Sequence, residues 1–366
     1  FWSSLLWAIH PLQTEAVSYI VQRAESLMGF FYLFTLYSFI RGCDSKGLGR
    51  RAWCAVSVFT CFLGMGTKEV MVSAPLVVLL YDRTFLSGSF RAAWRRNARV
   101  YIGLSASWLL LGFLVALAGG NRGSESVGFG IGVKWWDYVL TQFPAICHYL
   151  RLCFWPHPLV FDYGPFWVTH PLALWPEFVL VALLAGGTVW ALVKRREMGL
   201  LGFWFFALLA PTSLVPGTAQ MIVEHRMYLA LVPVVIIVVF AAHRWLGRAA
   251  PWLCAVAAAA IFVATVQRNR TYQSSESIWS DTVAQRPDNA RARLNLGNVL
   301  MTQPGRLYEA IVQYEAAVRL KPDSAEAHFL LANALHLAPG RMDDAVREMD
   351  EAIRLKPALA RFVKGS

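Results

Sequence analysis

The sequence predicts an all-α protein in two parts, a polytopic membrane helical bundle followed by a helical-repeat solenoid. Three observations predict this. Hydrophobic residues make up 57% of the 366 positions, a membrane-class composition. Most of them lie in long apolar segments before residue 268, too continuous for a soluble domain. The last quarter repeats at a spacing of 35 residues: Gly305 recurs as Gly340, Ala310 as Ala345, Ala317 as Ala352 and Pro322 as Pro357.

The apolar segments run over 1–9, 26–40, 52–65, 70–81, 100–118, 172–193, 199–215, 227–242 and 251–266. The first is a stub: the chain opens at Phe1 in mid-hydrophobic run and reads as a fragment lacking its N-terminus. A full span needs about 20 apolar residues, and several segments are shorter. Segments 52–65 and 70–81, separated by Gly66, Thr67, Lys68 and Glu69, are either a tight helical hairpin or a broken helix. Irregular backbone at membrane depth survives only beside protein or a water-filled cavity. The stretch 135–155 has Trp135, Trp136, Tyr138, Tyr149 and Trp155, with Pro156 and Pro158 as a stop, and reads as a helix lying at the interface or dipping in and out, not as a span.

Charge predicts the sides. The net charge is +11, but from Arg268 onward there are 14 Lys/Arg against 12 Asp/Glu, so the excess belongs to the body. Four loops hold 14 of the body's 20 Lys/Arg: those around Arg41–Arg51, Arg83–Arg99, Lys194–Arg196 and Arg244–Arg248. Alternating spans put all four on one face, expected to be cytoplasmic. The last span then delivers the tail to the other side. Basic residues placed between apolar spans set topology, so no nucleic-acid partner is expected. The six cysteines form no CxxC pair and read as small buried hydrophobes.

The tail divides into a linker with a leading helix (269–288) and two repeats (289–366). Each repeat pairs a small-residue helix (Leu294, Leu296, Gly297; then Leu330, Leu331, Ala332) with a second helix (Ala310, Tyr314, Ala317; then Ala345, Met349, Ala352). Small residues let the helices approach closely, and each Pro ends the second helix. This pattern resembles tetratricopeptide repeats, with one extra residue in each turn, QPGR and APGR. Such stacks grip peptide or protein.

Five polar clusters fall on the face opposite the basic loops. They are His10, Glu15, Arg23 and Glu25; Lys68 and Glu69; His148 and Arg151; Asp162; and Glu224, His225 and Arg226. If 10–25 is one helix, Arg23 and Glu25 lie about 80° to either side of Glu15 round the axis. Ionisable groups near membrane depth persist where they pair or line a functional cavity. Cations and carboxylates around a wet cavity suit a lipid phosphate and an acceptor hydroxyl: Arg and Lys hold the phosphate, and a carboxylate or His takes the proton. Glu15, Glu69, Asp162, Glu224 and His225 are the candidate acids and bases. Arg23, Lys68 and Arg226 are the candidate phosphate ligands, with His10, Glu25, His148 and Arg151 in support. No Walker A loop, GxSxG, HExxH or metal-spaced Cys/His set is present, so no metal site and no nucleotide-driven mechanism are expected.

Five stretches in order carry a further resemblance: HPLQTEAVSYIVQRAE, TKEVMVSAPLVVLLYD, the Pro-x-Pro-LVFDYG run, LVPGTAQMIVEHRMYLA and WSDTVAQRPDNARARLNLGN. Together they resemble the transmembrane and tetratricopeptide repeat-containing O-mannosyltransferases of the GT-C superfamily. The resemblance implies a GT-C-like bundle, a polyprenyl-phosphate sugar donor, a protein Ser or Thr acceptor held with the help of the tail, and catalysis on the lumenal or periplasmic side. It implies no tightly bound cofactor. It also implies that the usual catalytic acid, in the first outer loop, lies upstream of this fragment. Composition points to a bacterial plasma membrane, with the ER as the eukaryotic counterpart. Two other readings stand beside it: a non-enzymatic membrane anchor whose repeats recruit partners for envelope assembly, and a lipid-linked-sugar enzyme acting on a glycan.

Overall fold

The computed structural model describes residues 1–117, 134–168, 171–194, 197–216 and 221–360. Arg122, Glu125, Arg195, Arg196 and residues 217–220 of the fourth motif stretch fall outside them. The described residues are helical, with turns between, and form two compact units: Phe1–Leu159 with Trp167–Arg268, and Val160–Phe166 with Asn269–Ser366.

The first unit is the membrane body. Its helices are α1 (Trp2–Ala8), α2 (Thr14–Ser18), α3 (Arg23–Asp44), α4 (Gly47–Thr67), α5 (Ala74–Tyr81), α6 (Phe90–Leu117), α7 (Trp135–Phe154), α8 (Trp175–Val193), α9 (Glu197–Leu214), α10 (Met227–Leu246) and α11 (Ala250–Thr271), the last ending just past the unit. Among the described residues four stretches are long and apolar enough to cross a membrane: Phe90–Leu117, Leu172–Val193, Glu197–Leu214 and Glu224–Thr271. The last contains both α10 and α11, parted at Gly247, whose φ of 52° only glycine adopts readily. Helices α3 and α4 are 22 and 21 residues long but more polar, because they bury polar faces against each other. Thr35 and Thr60 hydroxyls meet at 3.0 Å, and Ser57 Oγ donates to Thr35 O at 2.9 Å. Small hydroxyl residues at a helix contact satisfy themselves locally and let backbones close up.

The break expected between 65 and 70 is present. Helix α4 stops at Thr67, Lys68 is extended, and a 3₁₀ turn, Glu69–Ser73, leads into α5. The fully buried Asp82 sets the bend of α6. It accepts from Asn97 Nδ2 at 2.7 Å, from Ser87 Oγ at 2.6 Å and from the Tyr101 hydroxyl. Asn97 leaves helical geometry (φ −130°). All six cysteines are free thiols.

The second unit carries α12 (Ser275–Gln285), α13 (Ala290–Met301), α14 (Leu307–Leu320), α15 (Ala325–His336) and α16 (Met342–Leu355). Side chains of Ser274, Asn289 and Ser324 cap the N-termini of α12, α13 and α15, each accepting from the backbone N–H three residues on. Gly297 lets Tyr314 lie flat on α13; a Cβ there would stand 2.5 Å from Tyr314 Cε1. Leu294, Leu300, Ile311, Leu331 and Leu335 form one core, closed at the α12 end by Trp279 and Val283.

Candidate functional site

The stretch from His10 to Glu25 is not one helix. Helix α2 ends at Ser18, Tyr19 is extended (ψ 115°), and a 3₁₀ turn, Ile20–Gln22, precedes α3. The break strands the last carbonyls of α2, and Ser26 Oγ answers one by donating to Ala16 O at 2.8 Å. The angular spacing expected of Glu15, Arg23 and Glu25 therefore does not apply. Arg23, first residue of α3, is exposed, while Glu15 and Glu25 reach the interior from separate segments.

Three of the five polar clusters meet there. The His225 backbone N–H donates to Glu15 Oε2 at 3.0 Å, and His225 Nδ1 donates to Glu15 Oε1 at 2.7 Å. The other ring nitrogen, Nε2, faces Glu25 Oε1 at 3.9 Å. Lys68 Nζ donates to that same Glu25 oxygen. The result is an unbroken line of side chains, Glu15–His225–Glu25–Lys68. Both carboxylates are 2% exposed, so each depends on its partners: a buried ion without one is too costly to persist.

Local structure explains the convergence. The extended Lys68 ends α4 and lets its side chain leave the helix axis toward α3. His225 sits in a 3₁₀ turn, Glu224–Arg226, whose lead-in is pinned by Val223 N–H donating to the Tyr149 hydroxyl at 2.9 Å. Trp7 Nε1 and Gln13 Nε2 both donate to Tyr228 O, at 2.8 and 3.3 Å, fixing the start of α10. Gly29 lets α3 approach it; a Cβ there would stand 2.6 Å from Tyr228 Cε1.

Arg226 donates to Met221 O at 3.1 Å and has Tyr138, Tyr149 and Glu25 as neighbours. Arg226 and Glu25 share the wall of a cavity of about 10 Å³, room for about one water molecule, closed by Met28, Val70, Leu208, Thr212 and Leu229. Glu224, 1% exposed, has Arg268 Nη2 at 3.9 Å from its Oε2. Three acids and three cations thus gather around one histidine.

The remaining candidates are not members of this line. His10 is an N-cap: Nδ1 accepts from Leu12 N–H at 3.2 Å, and Nε2 donates to Cys153 O at 3.2 Å. Burial pushes it down to about 4, keeping it neutral, with the Cys153 contact pulling the other way. Glu69 is half-buried at the head of its 3₁₀ turn. On α7, His148 is half-buried beside Tyr149 and Arg151 is exposed. Asp162 belongs to the second unit. Its carboxylate takes Arg291 Nε and Nη2 at 2.5 and 2.6 Å, and Asn289 Nδ2 donates to its carbonyl at 2.9 Å. Among the described residues no group of three His, Cys, Asp or Glu is arranged to hold a metal ion.

Sequence reasoning passed over Tyr149 as a backbone anchor, Ser26 and Gly29, and missed the pairing of Arg268 with Glu224. Only Arg268 carried a signal, as a charge at the end of an apolar segment.

Comparison with known proteins follows the same division of the chain. The model for the TPR repeat matches residues 301–338. Protein O-mannosyl-transferase TMTC1 of Homo sapiens is 27% identical over 87% of this chain and 42% of its own length. TMTC4 of Homo sapiens is 24% identical over 81% of this chain and 46% of its own length. Protein O-mannosyl-transferase tmtc2 of Xenopus laevis is 37% identical over 22% of the chain. The chain spans less than half the length of these relatives. The chain is thus TMTC-like, resembling the transmembrane and tetratricopeptide repeat-containing protein O-mannosyltransferases through body and tail alike.

Proposed function

We propose that the chain belongs to the working part of a membrane glycosyltransferase that moves a sugar, mannose, from a polyprenyl phosphate to a Ser or Thr hydroxyl of a protein. One observation carries this reading: Glu15, Glu25, Lys68, His225 and Arg226, scattered over 212 positions of sequence, meet at one buried place beside a small cavity. Fold stability alone gives no reason to draw so many ions out of water, because apolar packing of the same volume is as stable or more so. The likeness to proteins named O-mannosyl-transferases supplies the chemistry that such a site suits. Arg226 and Lys68 are the phosphate ligands, since a leaving phosphate gains most from cations that meet it as the bond breaks. The reaction lies on the extracytoplasmic face of a plasma or ER membrane, on the same side as the tail, which takes the acceptor protein.

Lys68→Ala and Arg226→Ala in the full-length protein should each lower transfer from polyprenyl-phosphate mannose by about 100-fold or more while the protein still folds. Mass spectrometry of exported proteins, with the gene present and deleted, reads the same reaction as a hexose on Ser or Thr. Undiminished transfer in both variants sinks the phosphate-binding role.

A further inference from the structure

Helix α6 is longer than a membrane is thick. Its 28 residues, Phe90–Leu117, rise about 42 Å, against a hydrocarbon core of about 30 Å. Burying all of them would need a tilt beyond the range that spans adopt. The excess is about eight residues, and the helix breaks at that point: Asn97 (φ −130°) leaves helical geometry. The apolar run starts just past the break, at Val100. The segment Phe90–Asn97 therefore lies in the headgroup layer, on the face of the basic loops.

Buried contacts hold the break. Asp82 takes Asn97 Nδ2 at 2.7 Å together with the Tyr101 hydroxyl, and Arg50 Nη2 donates to Asn97 Oδ1 at 2.7 Å. Trp94 stacks on Tyr101 across the break, with ring centroids 6.0 Å apart. The cations around it divide into two kinds. Arg83 donates to Leu192 O at 2.8 Å and Arg96 to Cys43 O at 3.3 Å, so both tie the chain together, as Arg50 does. Arg91, Arg95 and Arg99 are exposed and, among the described residues, make no hydrogen bond or ion pair. Helix α6 contains no Asp or Glu to neutralise them. Arg91 and Arg95 stand one turn apart, a spacing at which like charges repel. Setting topology needs positive charge on one side of the membrane; it does not need arginines stacked in this way. Phe90 and Trp94, 50% and 51% exposed, stand one turn apart in the same way and form an aromatic stripe beside the arginines.

We propose that Arg91, Arg95 and Arg99 bind the phosphate of an anionic phospholipid, with Phe90 and Trp94 seated at the edge of its acyl chains. A phosphate between Arg91 and Arg95 replaces their repulsion by two ion pairs, and each guanidinium can offer it two parallel N–H groups. A net negative lipid fits better than a zwitterionic one, because α6 offers no carboxylate to meet a choline or ethanolamine ammonium. A lipid fits better than a soluble anion, because the aromatic stripe belongs at the boundary between headgroups and chains. The site shares no residue with the ion line and does not depend on the donor reading.

Lipid titrations of the full-length protein in neutral detergent, read as the rise in thermal midpoint with lipid concentration, test the assignment. Phosphatidylglycerol should bind at least about tenfold more tightly than phosphatidylcholine. Replacing Arg91, Arg95 and Arg99 together by Gln should bring the two lipids within about twofold of each other. A control that removes three exposed charges from other loops of the same face, Lys46→Gln with Arg244→Gln and Arg248→Gln, should keep the preference. Equal binding of the two lipids by the unaltered protein overturns the site, as does a preference that survives in the arginine variant. An equal loss in the control would reduce the effect to general surface charge and also overturn it. Glycerol phosphate, the headgroup without chains, should not reproduce the stabilisation; if it does, the arginines take free anions and the lipid assignment falls. Should the triple variant fail to insert, Arg95→Gln alone carries the test, with a loss of preference of about fivefold expected and an unchanged preference fatal.

Discussion

His10 shows what burial does to a single titratable side chain. It is 2% exposed, its Nδ1 caps the turn at Leu12, and its Nε2 donates to Cys153 O. Neither nitrogen can take a further proton without breaking the cap, and burial lowers its titration from 6.5 to about 4. The folded protein therefore binds fewer protons than the unfolded chain between those values. Stability from this residue is complete above about 6.5 and is lost as pH falls toward 4, by an amount on the order of 3 kcal/mol. Asparagine caps as well as histidine and does not titrate. His10→Asn should thus keep its melting midpoint at neutral pH and lose less of it on acidification to pH 4 than the parent, as read by thermal scans in detergent. Equal acid losses would show that His10 is not the group responsible. The sequence made His10 visible as a polar residue beside Glu15, but its partner at position 153 was not readable. A hydrogen bond across 143 residues leaves no local pattern.

Among the elements, the repeats supply an internal control, because residues 35 apart occupy equivalent places in α13–α14 and α15–α16. Arg293 in the first repeat donates to Pro287 O at 2.9 Å and to Gln313 Oε1 at 3.1 Å. His328 in the second bonds Pro322 O at 2.9 Å and Glu348 Oε2 at 2.6 Å. Different side chains thus tie the same three places together. Ile311 and Val346 are also equivalent, yet Ile311 is 3% exposed and Val346 is 52% exposed, because α15 covers α14 and no described element covers that face of α16. Truncating Ile311 to Ala should cost about 2 to 4 kcal/mol, and Val346→Ala less than about 1 kcal/mol. Chemical denaturation followed by proteolysis of the tail would measure both, and equal costs would contradict the packing described. The repeat helices were legible because every rule acts within one 35-residue window: small residues, caps, turn glycine and terminal proline. The α2–α3 break was not. Its carbonyls are answered by Ser26, and a helical reading of 10–25 has no local reason to stop at Ser18.

Across the whole molecule, the lesson of Asp162 is that chain order and spatial membership differ. An acid on the expected face, next to an aromatic–proline run, read as a site residue. The seven-residue segment Val160–Phe166 packs within the repeat unit. Phe161 sets its ring edge-on to Trp279 at 5.2 Å and Arg286 donates to Tyr163 O at 3.1 Å. Gly164, at φ 72°, turns its N–H back onto Asp162 Oδ1 at 2.8 Å. Asp162 then grips Arg291 with both oxygens, the fork geometry that makes arginine–carboxylate pairs strong. What the sequence offered was the local FDYG turn; what it concealed was Arg291, 129 positions away. Asp162 is 5% exposed, so removing its cation leaves a buried charge with only backbone donors. Arg291→Ala should therefore destabilise the repeat unit by about 2 to 3 kcal/mol, and Asp162→Asn by less, since the amide still accepts from Gly164 and Arg291. Reversing both, Asp162→Arg with Arg291→Asp, should recover only part of the loss, because arginine at 162 cannot accept from Gly164 N–H. The decisive reading is the coupling in a double-mutant cycle with Asp162→Ala and Arg291→Ala. If the pair holds the segment, the double variant loses clearly less than the sum of the singles; strict additivity would mean that Phe161 and the backbone contacts hold it alone.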